Sequence, residues 1–166
     1  MKKLEVFGAI KLKGQIKISG SKNASLPILA ATLLSDKKIS LTNVPRVKDV
    51  ETMVKLLESM GSKIKKFKNG NSLLIQNNKK IKIEANYNLM STMRAGIIVL
   101  GPLLARFGEA KVSSPGGCSI GVRPIDIHLE ALKKMGAQYK IMDGYVYAKA
   151  KNGLNGAKIK FPKISV

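Results

Sequence analysis

The run Pro115-Gly116-Gly117-Cys118-Ser119-Ile120-Gly121-Val122-Arg123-Pro124 carries the only cysteine of the chain, five residues before an arginine. The thiolate is the reactive form of cysteine, and a nearby cation favours it. The opposite reading is a small buried hydrophobe with no chemistry. A second candidate is Ser19-Gly20-Ser21-Lys22-Asn23-Ala24, a strand running into a helix. A glycine turn that opens a helix offers free N–H groups and a positive dipole end to an anion. Lys22 adds a point charge suited to phosphate or carboxylate, and Asn23 either meets a ligand or caps the helix. The P-loop spacing is absent.

The chain has 26 Lys and 4 Arg. Three of the arginines, Arg94, Arg106 and Arg123, fall in its second half. Arg is a planar fork that binds anions through two bonds, where Lys is a point charge. The plainer reading of each is charge flanking a helix. His128 is the only histidine, and its place in the first turns of a helix suits a structural or substrate-edge role. Asp126 serves the helix dipole by default. No Cys/His pair or carboxylate cluster has metal-ligand spacing, so no metal is expected.

The elements that must position these residues form an internal repeat. Residues 47–61 align with residues 122–136 at an offset of 75. Val50, Val54, Leu57 and Met60 map onto Ile125, Leu129, Leu132 and Met135, both at helical spacing. Asp49 is expected as an N-cap, Pro124 as a first helical residue, and Gly61 and Gly136 as left-handed C-terminal residues. A hairpin follows each helix, at 63–76 around Asn69-Gly70-Asn71 and at 138–148 around Asp143-Gly144. Upstream, residues 24–34 match 95–104 at an offset of about 71. Both are apolar on all sides, the pattern of a buried helix. Short strands are expected at 38–41 and 110–112. The unit is strand, buried helix, strand, amphipathic helix, hairpin, an α/β arrangement.

The change of offset puts four extra residues in the second copy, on the stretch that holds Cys118. Loops that depart from a repeat's plan are common places for site chemistry. A third lead-in strand is expected at 156–161, matching 14–19. The chain then stops where a third buried helix should begin, so it is expected to be a piece of a longer protein.

Length argues for about one domain. Hydrophobic residues at 45% and charged residues at 24% are an ordinary globular mixture. The longest apolar run, residues 95–105, is about half what a bilayer requires. The start lacks a leader pattern, so a cytoplasmic location without membrane association is expected. The net charge of +20 raises an anionic partner. A basic nucleic-acid-binding α/β module is the alternative function. Few Arg, scattered aromatics and no Trp speak against it.

The segments Gly20-Ser21-Lys22-Asn23-Ala24, Thr92-Met93-Arg94-Ala95 and Pro115 through His128 closely resemble the UDP-N-acetylglucosamine 1-carboxyvinyltransferases. These are bacterial enolpyruvyl transferases that open peptidoglycan synthesis. The likeness runs from Leu4 to Val166, and the Cys loop is its most specific part. The sister family that makes enolpyruvylshikimate phosphate shares the fold without that loop.

The resemblance implies an inside-out α/β barrel fold. Two domains, each of three similar units, enclose a cleft. Residues 1–20 would be an N-terminal strand segment belonging to the other domain. Residues 21–166 would be a partial domain of two units plus the start of a third, and the C-terminal part of the protein would be missing. It implies transfer of the enolpyruvyl group of phosphoenolpyruvate to the 3′-hydroxyl of UDP-N-acetylglucosamine, with release of phosphate and no cofactor. Lys22 would neutralise phosphoenolpyruvate, with Asn23 beside it and the sugar. Cys118 would donate the proton to the methylene carbon, and fosfomycin would alkylate it. Arg123 would bind the phosphate side. Arg94 would contact the nucleotide substrate or phosphate region. Pro124, Ile125, Asp126 and Ile127 would line the UDP-sugar site, joined by Lys163, Ile164, Ser165 and Val166. The fragment by itself is expected to be inactive.

Overall fold

A computed structural model describes residues 3–8, 11–114 and 125–162. Both copies of the expected unit are present. The first has helix α1 (Lys22–Ala31), a 3-10 turn (Thr32–Leu34), strand β1 (Ile39–Leu41), helix α2 (Lys48–Met60) and the hairpin β2 (Lys63–Phe67) and β3 (Ser72–Gln76). The second has β4 (Glu84–Ala85), a short helix α3 (Tyr87–Met90), a 3-10 stretch (Arg94–Val99), α4 (Leu100–Phe107) and β5 (Glu109–Ser113). It ends with α5 (Asp126–Lys134), β6 (Gln138–Met142) and β7 (Tyr145–Lys149).

The repeat is visible in strand order. The first sheet runs β1-β3-β2 and the second β4-β5-β7-β6, so β5, β7 and β6 occupy the places of β1, β3 and β2. The hairpins are antiparallel, with Ile64 opposite Ile75 and Tyr139 opposite Ala148. At the second turn Asp143 and Gly144 take φ of 52° and 75°, the left-handed pair that a two-residue hairpin needs. Gly61 closes α2 in the left-handed conformation at φ 107°.

The apolar stripe predicted for α2 is buried: Val50, Val54, Leu57 and Met60 are all at most 4% exposed. It packs with Leu29 and Leu33 of the first unit, and the same core continues through Leu100, Leu103, Leu104, Val112 and Val146 of the second. Arg106 joins the two units. Its guanidinium donates to the carbonyls of Leu33 at 2.8 Å, Ser35 at 3.1 Å and Asn78 at 3.2 Å. These carbonyls lie just beyond α1 and β3, and that of Ser35 also accepts from Asn77 Nδ2 at 3.1 Å.

Three expectations are corrected. The buried helix at 95–104 is a 3-10 stretch followed by α4. Pro102 lacks the N–H that an α-helix through Ile98 would require, so the α-helix begins at Leu100 with Pro102 in its first turn. The lead-in strands expected at 14–19 and 156–161 form no ladder, and Ile16 and Ile18 are more than 80% exposed. The second copy's lead-in pairs as β4, parallel to β5, with Glu84 opposite Lys111. Segments 14–19 and 156–161 have no such neighbouring strand among the described residues. Finally, α1 is not covered all round: Leu26, Leu29 and Ala30 are buried, whereas Ile28 is 49% exposed and Leu34, just beyond it, 51%. No helix among the described residues is long and apolar enough to cross a membrane.

Candidate active site

Lys22 is the first residue of α1 and Asp49 the second of α2. Their side chains meet, with Nζ 3.0 Å from Oδ2. Both remain partly in solvent, 49% and 38% exposed. Ser21 caps α1, its hydroxyl accepting the Ala24 N–H at 3.3 Å. Asn23 is therefore not the cap, and it is exposed. Pro27, inside α1, has no N–H to offer the Asn23 carbonyl, so that acceptor lacks its usual helical partner.

The N-cap role expected for Asp49 is also corrected. Val47 occupies that position in extended backbone, and its carbonyl already receives the N–H groups of Val50 and Glu51. Asp49 lies one step inside the helix, and its carboxylate pairs with Lys22. The entries of the two helices are tied together by Gly20. A Cβ at this position would overlap the Asn43 carbonyl oxygen and crowd the Pro45 ring. Only glycine lets the backbone pass so near the loop that leads into α2. The cluster thus gathers one ammonium, one carboxylate and the positive ends of two helices.

Arg94 opens the 3-10 stretch that packs against α1. It is half-buried, and its Nη2 is buried with no hydrogen-bond partner among the described residues. A guanidinium N–H in that state forfeits its hydration and so favours an incoming acceptor. Arg106, by contrast, spends its donors on the carbonyls named above and belongs to the scaffold.

Ile125 precedes α5 as its cap residue, and Asp126 is the first helical position. Asp126 and Ile127 line a small cleft of about 100 Å³ together with Glu130, Lys134 and residues 159–162. The run that leads into Lys163 is therefore beside the expected 125–127 segment. His128 is half-buried with Nε2 unpartnered among the described residues, and burial lowers its pKa from the ordinary 6.5. A wider groove of about 510 Å³ lies between the start of α2 and the β2–β3 turn, lined by Arg46, Lys66 and Lys68 over Val50 and Leu73. None of the expected site residues among the described ones lines it. Cys118, Arg123, Pro124, Lys163, Ile164, Ser165 and Val166 lie outside the described residues.

Sequence reasoning missed Asp49 as the partner of Lys22. A signal existed: at the repeat offset of 75, Pro124 stands where Asp49 does, so the repeated plan does not call for a carboxylate there.

The model of the family described as EPSP synthase (3-phosphoshikimate 1-carboxyvinyltransferase) matches residues 7–166. A UDP-N-acetylglucosamine 1-carboxyvinyltransferase of Pelagibacter ubique (strain HTCC1062) is 70% identical over 166 residues, all of this chain and 39% of the relative. One of the same name from Sulfurovum sp. (strain NBC37-1) is 54% identical over the same shares. The chain thus spans about two fifths of the length of these curated relatives. Among solved structures, the enolpyruvyl transferase NikO from Streptomyces tendae superposes with a TM-score of 0.71 at 18% identity, over 89% of this chain and 32% of that one. EPSP synthase from Acinetobacter baumannii does so with a TM-score of 0.68 at 19% identity, over 92% and 35%. The two repeated α/β units are the enolpyruvyl transferase fold, and with the match over residues 7–166 the chain belongs to the EPSP synthase (3-phosphoshikimate 1-carboxyvinyltransferase) family.

Proposed function

We propose that this chain is the N-terminal part of a UDP-N-acetylglucosamine 1-carboxyvinyltransferase. The whole protein would move the enolpyruvyl group of phosphoenolpyruvate to the sugar 3′-hydroxyl and release phosphate, a committed step of cell-wall synthesis in the cytoplasm. The observation that carries the reading is the 70% identity, along the full chain, to a relative of that name. The site chemistry supports it. Two anionic substrates call for cations at helix starts, and Lys22 and Arg94 stand at such starts.

In the proposed mechanism Cys118 delivers a proton to the methylene carbon of phosphoenolpyruvate. The sugar 3′-hydroxyl oxygen attacks the adjacent carbon as its proton passes to an acidic base in the C-terminal part of the protein, giving a tetrahedral intermediate. Loss of phosphate and of a proton from the former methylene then restores the double bond. Lys22 and Arg123 balance the substrate's negative charge, with Asn23 alongside. Residues 123–127 and 163–166 line the UDP-sugar site, and of these Asp126 and Ile127 share a cleft with residues 159–162. Residues 1–20 belong with the second domain.

The test uses this chain joined in frame to the C-terminal remainder of the Pelagibacter ubique relative, hereafter the joined protein. Phosphate release from phosphoenolpyruvate is measured with UDP-N-acetylglucosamine or 3-phosphoshikimate as acceptor. Release with the UDP-sugar alone is expected. Release with 3-phosphoshikimate instead would move the chain to the sister branch, and release with neither would remove the reading. The basic surface admits nucleic-acid binding as the second reading. Salt-sensitive binding to DNA or RNA by a joined protein that is inert toward both acceptors would favour it.

A further inference from the structure

We propose that Asp49 is a positioning residue for Lys22, holding the ammonium at one place between the starts of α1 and α2 before substrate arrives. The inference rests on the reading of Lys22 as the cation that meets phosphoenolpyruvate.

The geometry is direct: Lys22 Nζ lies 3.0 Å from Asp49 Oδ2. Asp49 makes this contact instead of capping its helix, where Val47 holds the cap position. The repeat does not require it, because Pro124 is its counterpart. Stability does not account for it either, since a half-exposed ion pair contributes little to folding. Gly20 fixes the spacing, because its backbone lies against the 43–45 loop ahead of α2.

A lysine stem has four rotatable bonds and samples many positions when its ammonium has no partner. Unheld, the ammonium stands in the productive position for a fraction of the time. With Asp49, the ordering precedes substrate binding. Pre-placed charge acts on the transition state more than on the bound substrate. The carboxylate itself repels an anionic substrate, so removing it does not weaken ground-state binding. Asp49 should therefore govern kcat and leave the KM for phosphoenolpyruvate unchanged or lower. A residue that merely held the helices together would act through stability.

The experiment compares Asp49→Ala and Asp49→Asn with the unmodified sequence, all as the joined protein. Asp49→Ala should lose about 10- to 100-fold in kcat, the scale of a misplaced reacting group, with the KM for phosphoenolpyruvate raised by less than about threefold. Asp49→Asn keeps an acceptor oxygen at the same reach and should recover part of that loss. Thermal midpoints of all three should agree within about 3 °C, as expected for a surface pair. A kcat for Asp49→Ala within twofold of the unmodified protein overturns the proposal. So does a loss carried by KM, a loss matched by a fall in thermal midpoint, or an Asp49→Asn no better than Ala. The unmodified joined protein separates the two levels of the argument. If it is inactive with the UDP-sugar, the proposed function fails and this inference fails with it; if it is active while Asp49→Ala is unchanged, only this inference fails.

Discussion

The strongest chemical claim on a single residue concerns Cys118. If it is the acid, Cys118→Asp keeps a proton donor but loses the nucleophile. In the joined protein the Asp variant should turn over and resist labelling by fosfomycin. Cys118→Ala should lose most activity, about 100-fold or more on the scale of general acid catalysis. A buried structural cysteine orders the two variants oppositely, because Asp would bury a charge. Turnover and mass-spectrometric labelling of both variants decide the matter, and an active Ala variant ends the catalytic role. His128 carries a separate expectation. Burial depresses its pKa below 6.5, so the unfolded chain takes up the proton first. Stability is then full above pH 6.5 and declines as pH falls through the window down to the folded-state value. Urea unfolding over roughly pH 5–6.5, above where most carboxylates titrate, should show that slope, and His128→Gln should flatten it. An unchanged slope in the variant would assign the acid sensitivity to other groups.

Between elements, the decisive contact is Arg106. It bonds to carbonyls of Leu33, Ser35 and Asn78 and so links α4 to the first unit. Arg106→Ala removes the guanidinium from the partly buried Leu33 carbonyl, while Ser35 keeps the Asn77 amide at 3.1 Å, and should cost about 1–3 kcal/mol in urea unfolding. A cost under about 0.5 kcal/mol would mean that water replaces the guanidinium freely. This contact also marks what the amino-acid pattern can and cannot say. Amphipathic spacing and turn residues are local, so α2, α5 and both hairpins were legible, with Gly61 and Asp143-Gly144 at their ends. Arg106 reaches acceptors in residues 28 to 73 positions earlier, which no local period encodes. The missing strand at 14–19 has the same origin. A strand is defined by its partner, and apolar alternation alone provides none. The candidate site was half legible for similar reasons. Lys22 and Arg94 announced themselves by type and by position at helix starts, whereas Asp49 became meaningful only once α1 and α2 lay side by side.

At the scale of the molecule, α1 keeps one side in solvent. Ile28 of α1 and Leu34, in the 3-10 turn beyond it, leave about half their surface in water. In the proposed full-length protein this side faces the third unit. Leu34→Ala should then cost less than about 1 kcal/mol in the isolated chain and about 2–4 kcal/mol in the joined protein, where a cavity would form. Equal costs in both would show that nothing covers this side. The chain spans about two fifths of its curated relatives, and a cleft reaction draws much of its rate from holding two substrates between two walls. The most direct test is to identify the product. Carbon-13-labelled phosphoenolpyruvate and UDP-N-acetylglucosamine are supplied to the joined protein and, separately, to the 166-residue chain. The account predicts a UDP-sugar bearing the labelled enolpyruvyl group as an ether on its 3′-oxygen, formed by the joined protein and not by the chain alone. An unlabelled UDP-sugar after incubation with the joined protein, under conditions where the Pelagibacter ubique relative labels it, would contradict the account.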